Sequence, residues 1–175
     1  MEAIPVNTPL LSGNEKKYLN ECIDTGWISS EGPFVKRFEK EFSSSCQRKF
    51  GIAVSNGSAA LDVAFRALDL PKGSEVILPT FTIISCIQAI LNNGLTPVLV
   101  DSDPDTWNMD INKVQEKITS NTAAILAVHL YGLALDMQKL ESICKEKNLK
   151  LVEDTAEAIG QTSNGTICGS FGDIS

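Results

Sequence analysis

The chain has 175 residues, 43% of them apolar and 21% charged, a balance that excludes a disordered or collagen-like polypeptide. Fifteen Lys and Arg face 22 Asp and Glu, giving a formal charge of −7 and a pI near 4.7. With no basic cluster to offset it, that charge argues against nucleic acid and acidic lipid as partners. The longest mostly apolar run free of formal charge, Ala123 to Leu135, falls short of the roughly 18–20 residues a spanning helix requires.

Met1-Glu2-Ala3-Ile4-Pro5 carries neither the basic start nor the apolar core of a secretion leader, so a cytoplasmic protein is expected. The five cysteines, Cys22, Cys46, Cys86, Cys144 and Cys168, never form a C-x-x-C pair. They read as small core residues in a reducing compartment, with no metal site.

In chain order, Asn14–Asp24 and Pro33–Phe42 are predicted helices, the second with Phe34, Val35, Phe38 and Phe42 on one face. Strand Gly51–Ser55, helix Ser58–Leu70, strand Glu75–Leu78, helix Thr82–Asn93 and strand Pro97–Val100 follow. Helix Ile111–Ile118, strand Ala123–His129, helix Met137–Lys147 and strand Leu149–Glu153 continue the alternation. Near-continuous apolar strands between helices of about ten residues predict βαβ units and a buried, mostly parallel sheet. In the tail, Asn164-Gly165 between short extended pieces predicts a type I′ hairpin.

Open α/β sheets bind ligands at the carboxyl ends of their strands, and three segments fall there. In Val54-Ser55-Asn56-Gly57-Ser58-Ala59-Ala60-Leu61 a strand turns into a helix. The unpaired N–H groups of that helix would hold a phosphate, or Asn56 or Ser58 simply caps it. In Leu151-Val152-Glu153-Asp154-Thr155-Ala156-Glu157-Ala158 a strand delivers Asp154 to its edge. There it would face a cationic ring nitrogen, or form a capping box with Glu157.

After the strand ending at Leu78, Pro79-Thr80-Phe81-Thr82-Ile83 offers an apolar side chain either to a planar ligand or to the core. His129, the one histidine, is either a satisfied structural residue or a substrate contact. Asp101-x-Asp103-x-Asp105 begins like a calcium loop, but Thr106 and Asn112 stand where Gly and Glu are needed.

These segments, in this order, resemble the N-terminal half of the DegT/DnrJ/EryC1/StrS family of pyridoxal-phosphate sugar aminotransferases. The resemblance also draws on Gly26-Trp27-Ile28-Ser29-Ser30-Glu31-Gly32-Pro33, Thr96-Pro97-Val98, His129-Leu130-Tyr131-Gly132 and Gly169-Ser170-Phe171-Gly172-Asp173. Within the family, Glu153-Asp154-Thr155-Ala156-Glu157-Ala158 and His129-Leu130-Tyr131-Gly132 are similar above all to the GDP-perosamine synthases. That subgroup aminates GDP-4-keto-6-deoxymannose with glutamate as donor.

The resemblance implies a three-layer α/β/α fold, the incomplete large domain of a type I pyridoxal-phosphate aminotransferase, with residues 1–175 as its N-terminal part and the small C-terminal domain absent. It implies pyridoxal 5′-phosphate as cofactor, seated by Gly57, Ser58 and Ala59, with Asp154 on the pyridinium nitrogen. Glu157 is expected beside the cofactor, Ile83 over its ring, and Trp27, Ser29 and His129 near the sugar nucleotide or a partner subunit of a homodimer.

Two departures stand out. Ile83 occupies a position where many relatives carry an aromatic residue, and the family's Schiff-base Lys is expected beyond Ser175, so the chain as given reads as an inactive fragment. The alternatives are a sugar 3-dehydratase, in which His replaces that Lys, and a truncated, non-catalytic binding module. A Rossmann-type nucleotide binder lacks its glycine fingerprint.

Overall fold

The computed structural model describes residues 3–5 and 8–175, so Met1 and Glu2, part of the stretch inspected for a leader, lie outside the described residues. Helices α1 (Glu15–Thr25), α2 (Pro33–Ser45) and α3 (Gly57–Ala67) precede strand β1 (Glu75–Pro79), helix α4 (Ile84–Asn92) and strand β2 (Thr96–Val100). Helix α5 (Ile111–Lys117), strand β3 (Thr122–Val128), helix α6 (Met137–Lys147) and strand β4 (Lys150–Asp154) follow. A hairpin of β5 (Thr162–Ser163) and β6 (Thr166–Ile167) comes last. Its turn residues Asn164 (φ 47°) and Gly165 (φ 82°) both have positive φ, as a type I′ turn requires.

The four longer strands form a parallel sheet in the order β2-β1-β3-β4. The pleat sends alternate residues to opposite faces. Val76, Leu78, Ala124, Leu126, Val128 and Val152 pack with Leu61 and Phe65 of α3 and with Cys86 and Ile90 of α4. Ile77, Ile125, Ala127 and Leu151 pack with Val114 of α5 and with Met137, Leu140 and Ile143 of α6. Strands covered on both sides explain the near-continuous apolar runs, and the result is the three-layer α/β/α arrangement.

Three local expectations are corrected. Gly51–Ser55 is not a strand: Gly51–Val54 has no ladder partner among the described residues, Ala53 N–H is held at 2.9 Å by the Glu39 carboxylate, and Ile52 is 77% exposed. A β-branched run becomes a strand only where another strand meets it.

The apolar face of α2 is likewise only partly covered. Phe38 stacks on Phe42 at 5.3 Å with both rings largely in solvent, while half-buried Phe34 meets Tyr18 at 5.3 Å. Finally, no helix follows Asp154, where the chain instead makes a series of turns.

The tail closes against β4. Asp173 N–H donates to Leu151 O at 2.8 Å, and Ile174 bridges Val152 in parallel. Only glycine suits position 172: φ is +66°, and a Cβ would lie 2.6 Å from Leu151 O.

Candidate functional site

The strand order reverses direction between β1 and β3. The β1-to-β2 crossover passes through α4 on one face of the sheet, whereas the later crossovers pass through α5 and α6 on the other. Such a switch opens a crevice at the carboxyl ends of the strands. The segments around the crevice are the start of α3, the β1–α4 connection, the turn after β3 and the end of β4.

A helix that leads into a parallel strand of the sheet it covers runs opposite to that strand, so α3 begins at the carboxyl edge. Asn56 is its N-cap, and the side-chain oxygen accepts the Ala59 N–H at 2.9 Å. Ala60 N–H already bonds Asn56 O at 3.0 Å. That leaves the N–H groups of Gly57 and Ser58, which no intrahelical bond reaches, together with the exposed Ser58 hydroxyl.

The capping reading is met by Asn56, and the first two amides are left without an intrahelical partner. A Cβ on Gly57 would meet nothing within 4 Å. The glycine is not needed by the packing, and the space around it is open. A phosphate group fits this cradle.

Asp154 closes β4 half-buried on the α3/α4 face, in phase with Val152. Its Oδ1 accepts the Ala156 N–H at 3.1 Å, and its Oδ2 accepts from the Cys86 thiol at 3.6 Å. The capping-box alternative for Asp154 and Glu157 falls, because there is no helix to cap. Glu157 is exposed and its carboxylate instead accepts the Tyr131 N–H at 2.7 Å. Burial, the largest influence, pushes the Cys86 thiol up to about 11, with the Asp154 charge acting in the same direction.

Glu153, one residue earlier, points through the opposite face and is 1% exposed. Its carboxylate accepts His129 Nε2–H at 2.9 Å, Gly169 N–H at 2.7 Å and Phe171 N–H at 3.0 Å. His129 Nδ1 accepts the Leu135 N–H at 3.1 Å, which assigns the proton to Nε2 and makes the ring neutral. Of its two readings, His129 takes the structural one: it is 1% exposed with both nitrogens engaged, on the far side of the sheet from Asp154.

His129, Glu153 and Cys168 bring three possible ligand atoms within 4.8 Å, yet the imidazole has no free lone pair for an ion. Arg48 holds the same loop from outside, donating to the carbonyls of Gly169 at 2.7 Å, Gly172 at 2.9 Å and Phe171.

Ile83 precedes α4 and is 66% exposed. Trp27 and Ser29 are exposed between α1 and α2, and no hydrogen bond joins them to Gly57 or Asp154 among the described residues. Three features escaped the sequence reading. Cys86 and Thr82 stand behind Asp154, and Glu153 is a charge within an apolar strand, which is itself a signal. The third is an exposed aromatic group in which Phe81 lies 5.7 Å from Trp107 and 6.3 Å from Tyr131. Surface clefts lined by Glu141, Cys144 and Asp173, and by Lys40, Ser43 and Lys49, lie away from this open ledge.

Two free amides and a carboxylate thus lie at the same edge of the sheet. Residues 9–175 match the DegT/DnrJ/EryC1/StrS aminotransferase family. The chain belongs to this family.

It is 46% identical over 175 residues to GDP-perosamine synthase of Escherichia coli O157:H7, covering 100% of this chain and 48% of that protein. It is 47% identical over 155 residues to dTDP-3-amino-3,6-dideoxy-alpha-D-galactopyranose transaminase of Aneurinibacillus thermoaerophilus, covering 89% of this chain and 42% of that one. The chain thus spans about half the length of the curated relatives it matches.

Among solved structures, E. coli GDP-4-keto-6-deoxy-D-mannose-3-dehydratase with bound hydrated PLP superposes with a TM-score of 0.91 at 30% identity, over 98% of this chain and 46% of that chain. NtdA of Bacillus subtilis with bound PMP gives 0.80 at 37% identity, over 88% and 35%.

Proposed function

We propose that this family member is the cofactor-binding part of a sugar-nucleotide aminotransferase that moves the amino group of glutamate onto GDP-4-keto-6-deoxymannose, giving GDP-perosamine. The cofactor is pyridoxal 5′-phosphate, which when bound supplies an aldehyde for the amine and a protonated ring that withdraws electrons. The observation that carries this reading is the pairing of two free amides at Gly57 and Ser58 with the Asp154 carboxylate on one edge of the sheet.

Gly57 and Ser58 bind the phosphate, and Ala59 contributes to the turn while its own N–H stays with Asn56. Asp154 holds a proton on the ring nitrogen, Ile83 covers one face of the ring, and Glu157 fixes the Tyr131 backbone beside it. Trp27 and Ser29 contribute to the sugar-nucleotide side or to the partner of a homodimer. His129 acts from the interior, where it holds the Glu153 carboxylate. The setting is the cytoplasm, where sugar nucleotides are made; among the described residues no helix is long and apolar enough to cross a membrane.

A second reading, sugar 3-dehydration, draws support from the 0.91 TM-score with the dehydratase. Incubation of the full-length parent protein with pyridoxal phosphate, glutamate and GDP-4-keto-6-deoxymannose separates the two by mass spectrometry of the sugar nucleotide. An aminated sugar supports the first, and a 4-keto product lighter by one oxygen atom, formed as glutamate becomes 2-oxoglutarate and ammonia, supports the second. A cofactor band that glutamate leaves unchanged, with no change in the sugar, refutes both.

A further inference from the structure

The geometry points to Thr82 and Cys86 as positioning residues that hold the Asp154 carboxylate toward the ring nitrogen through a hydroxyl-to-thiol-to-carboxylate chain of hydrogen bonds. The inference rests on the reading of Asp154 given above and extends it to two residues outside the motif that contains the acid.

The pleat brings the pieces together. Val152 and Asp154 face α4, and Cys86, 0% exposed, lies in the first turn of that helix. Its Sγ is 3.6 Å from Asp154 Oδ2 and 3.2 Å from Thr82 Oγ1. Counting protons fixes the direction. An ionised carboxylate only accepts, so the single thiol proton goes to Oδ2, and the Thr82 hydroxyl must then donate to sulfur.

The thiol is well suited to remain a donor, since burial raises it to about 11 and keeps it protonated at neutral pH. Oδ1 is already tied to the Ala156 N–H at 3.1 Å. With one oxygen fixed by backbone and the other by sulfur, the carboxylate plane is set from two sides. Because S–H is a weak donor, it orients the carboxylate while withdrawing little of its charge. An apolar side chain in that place would leave Oδ2 unheld, and a hydroxyl would hold it harder.

The test has one arm without cofactor and one with it. In the cofactor-free protein, the infrared S–H stretch of Cys86, assigned by its loss in Cys86→Ser, is expected to move to higher frequency in Asp154→Asn and to move again in Thr82→Val. A band that neither substitution moves overturns the inference.

In protein loaded with pyridoxal phosphate labelled with nitrogen-15 in the ring, Cys86→Val is expected to shift the ring resonance toward that of the unprotonated pyridine. Cys86→Ser should retain the protonated value. A resonance unchanged in Cys86→Val also overturns the inference. Should Cys86→Val fail to fold, Thr82→Val carries the same reading, with a smaller expected shift. Failure of the unaltered protein to bind pyridoxal phosphate would remove the cofactor reading instead, and the infrared arm would still decide whether the thiol holds the acid.

Discussion

Replacing Gly57 by Ala separates the needs of the fold from the needs of the ligand. Because a Cβ there meets nothing within 4 Å and no positive φ is involved, the folded protein accepts the methyl group without strain. Alanine is also the better helix former, by up to about 1 kcal/mol in a helix interior and less at this first position, so the melting temperature should hold or rise slightly.

On the proposed function, the methyl group would crowd a phosphate seated on the Gly57 and Ser58 amides. A hydrogen bond to a charged partner is worth about 1.5–3 kcal/mol. Losing one such contact corresponds to a roughly 10- to 150-fold rise in Kd. Fluorescence titration with pyridoxal phosphate reads that change, and titration with pyridoxal, which lacks the phosphate, serves as the control. The expected result is a weakened phosphate ester, an unaltered pyridoxal and an unaltered melt. Equal affinity of wild type and Gly57→Ala for pyridoxal phosphate would refute the assignment of the seat to α3.

Four further outcomes follow from the same geometry. Glu153→Gln removes an acceptor that serves three N–H donors in the interior, so it should cost about 3 kcal/mol and lower the melting temperature by on the order of 6–12 °C in calorimetry. Asp154→Asn cannot pair with a pyridinium, and each unit lost from the ring-nitrogen pKa is worth about 1.4 kcal/mol, so amino transfer should slow by at least about tenfold in a stopped-flow assay. Alkylation at pH 8 followed by mass spectrometry should label half-buried Cys22 and Cys46 before Cys86, Cys144 and Cys168, whose thiols burial holds at about 11, 12 and 11. The folded state keeps those protons above pH 8.5 while the unfolded state releases them, so denaturant titrations should show stability falling as pH rises from about 8.5 toward 11.

Periodicity made the sheet and its helices legible, because each strand is covered on both faces and so reads as continuously apolar, as in Ala124–Val128. It failed at Gly51–Ser55, where composition favours a strand but no neighbour supplies the ladder. On α2 it found the helix and its stripe of Phe34, Phe38 and Phe42, but a stripe reveals an apolar face and not what covers it.

At the candidate site, the capped turn at Asn56 and the strand-end position of Asp154 were readable because each carries a distinctive local pattern. Cys86 was not. Its role depends on the distance from one helix to a strand 68 residues away, and a thiol on an apolar helix face looks like any other small core residue. His129 misled for a related reason. A strand terminus suggests the crevice, yet the side-chain direction set by the pleat decides on which side of the sheet the ring lies.

The adjacent acids of β4 show how one pleat divides labour. Asp154 turns toward α4, held by a weak thiol and one amide. Glu153 turns the other way and spends both oxygens on three N–H donors, two of them from the loop that Arg48 clasps by its carbonyls. That loop carries Gly169 to Gly172 and leads to Ile174, which bridges Val152 beside Asp154. The structural acid therefore braces the same strand end that carries Asp154, the residue proposed to hold the ring nitrogen. A shift of Glu153 would pass to Asp154 through a single peptide unit, so the rigidity of the far face of the sheet sets how well the near face can hold its charge in register.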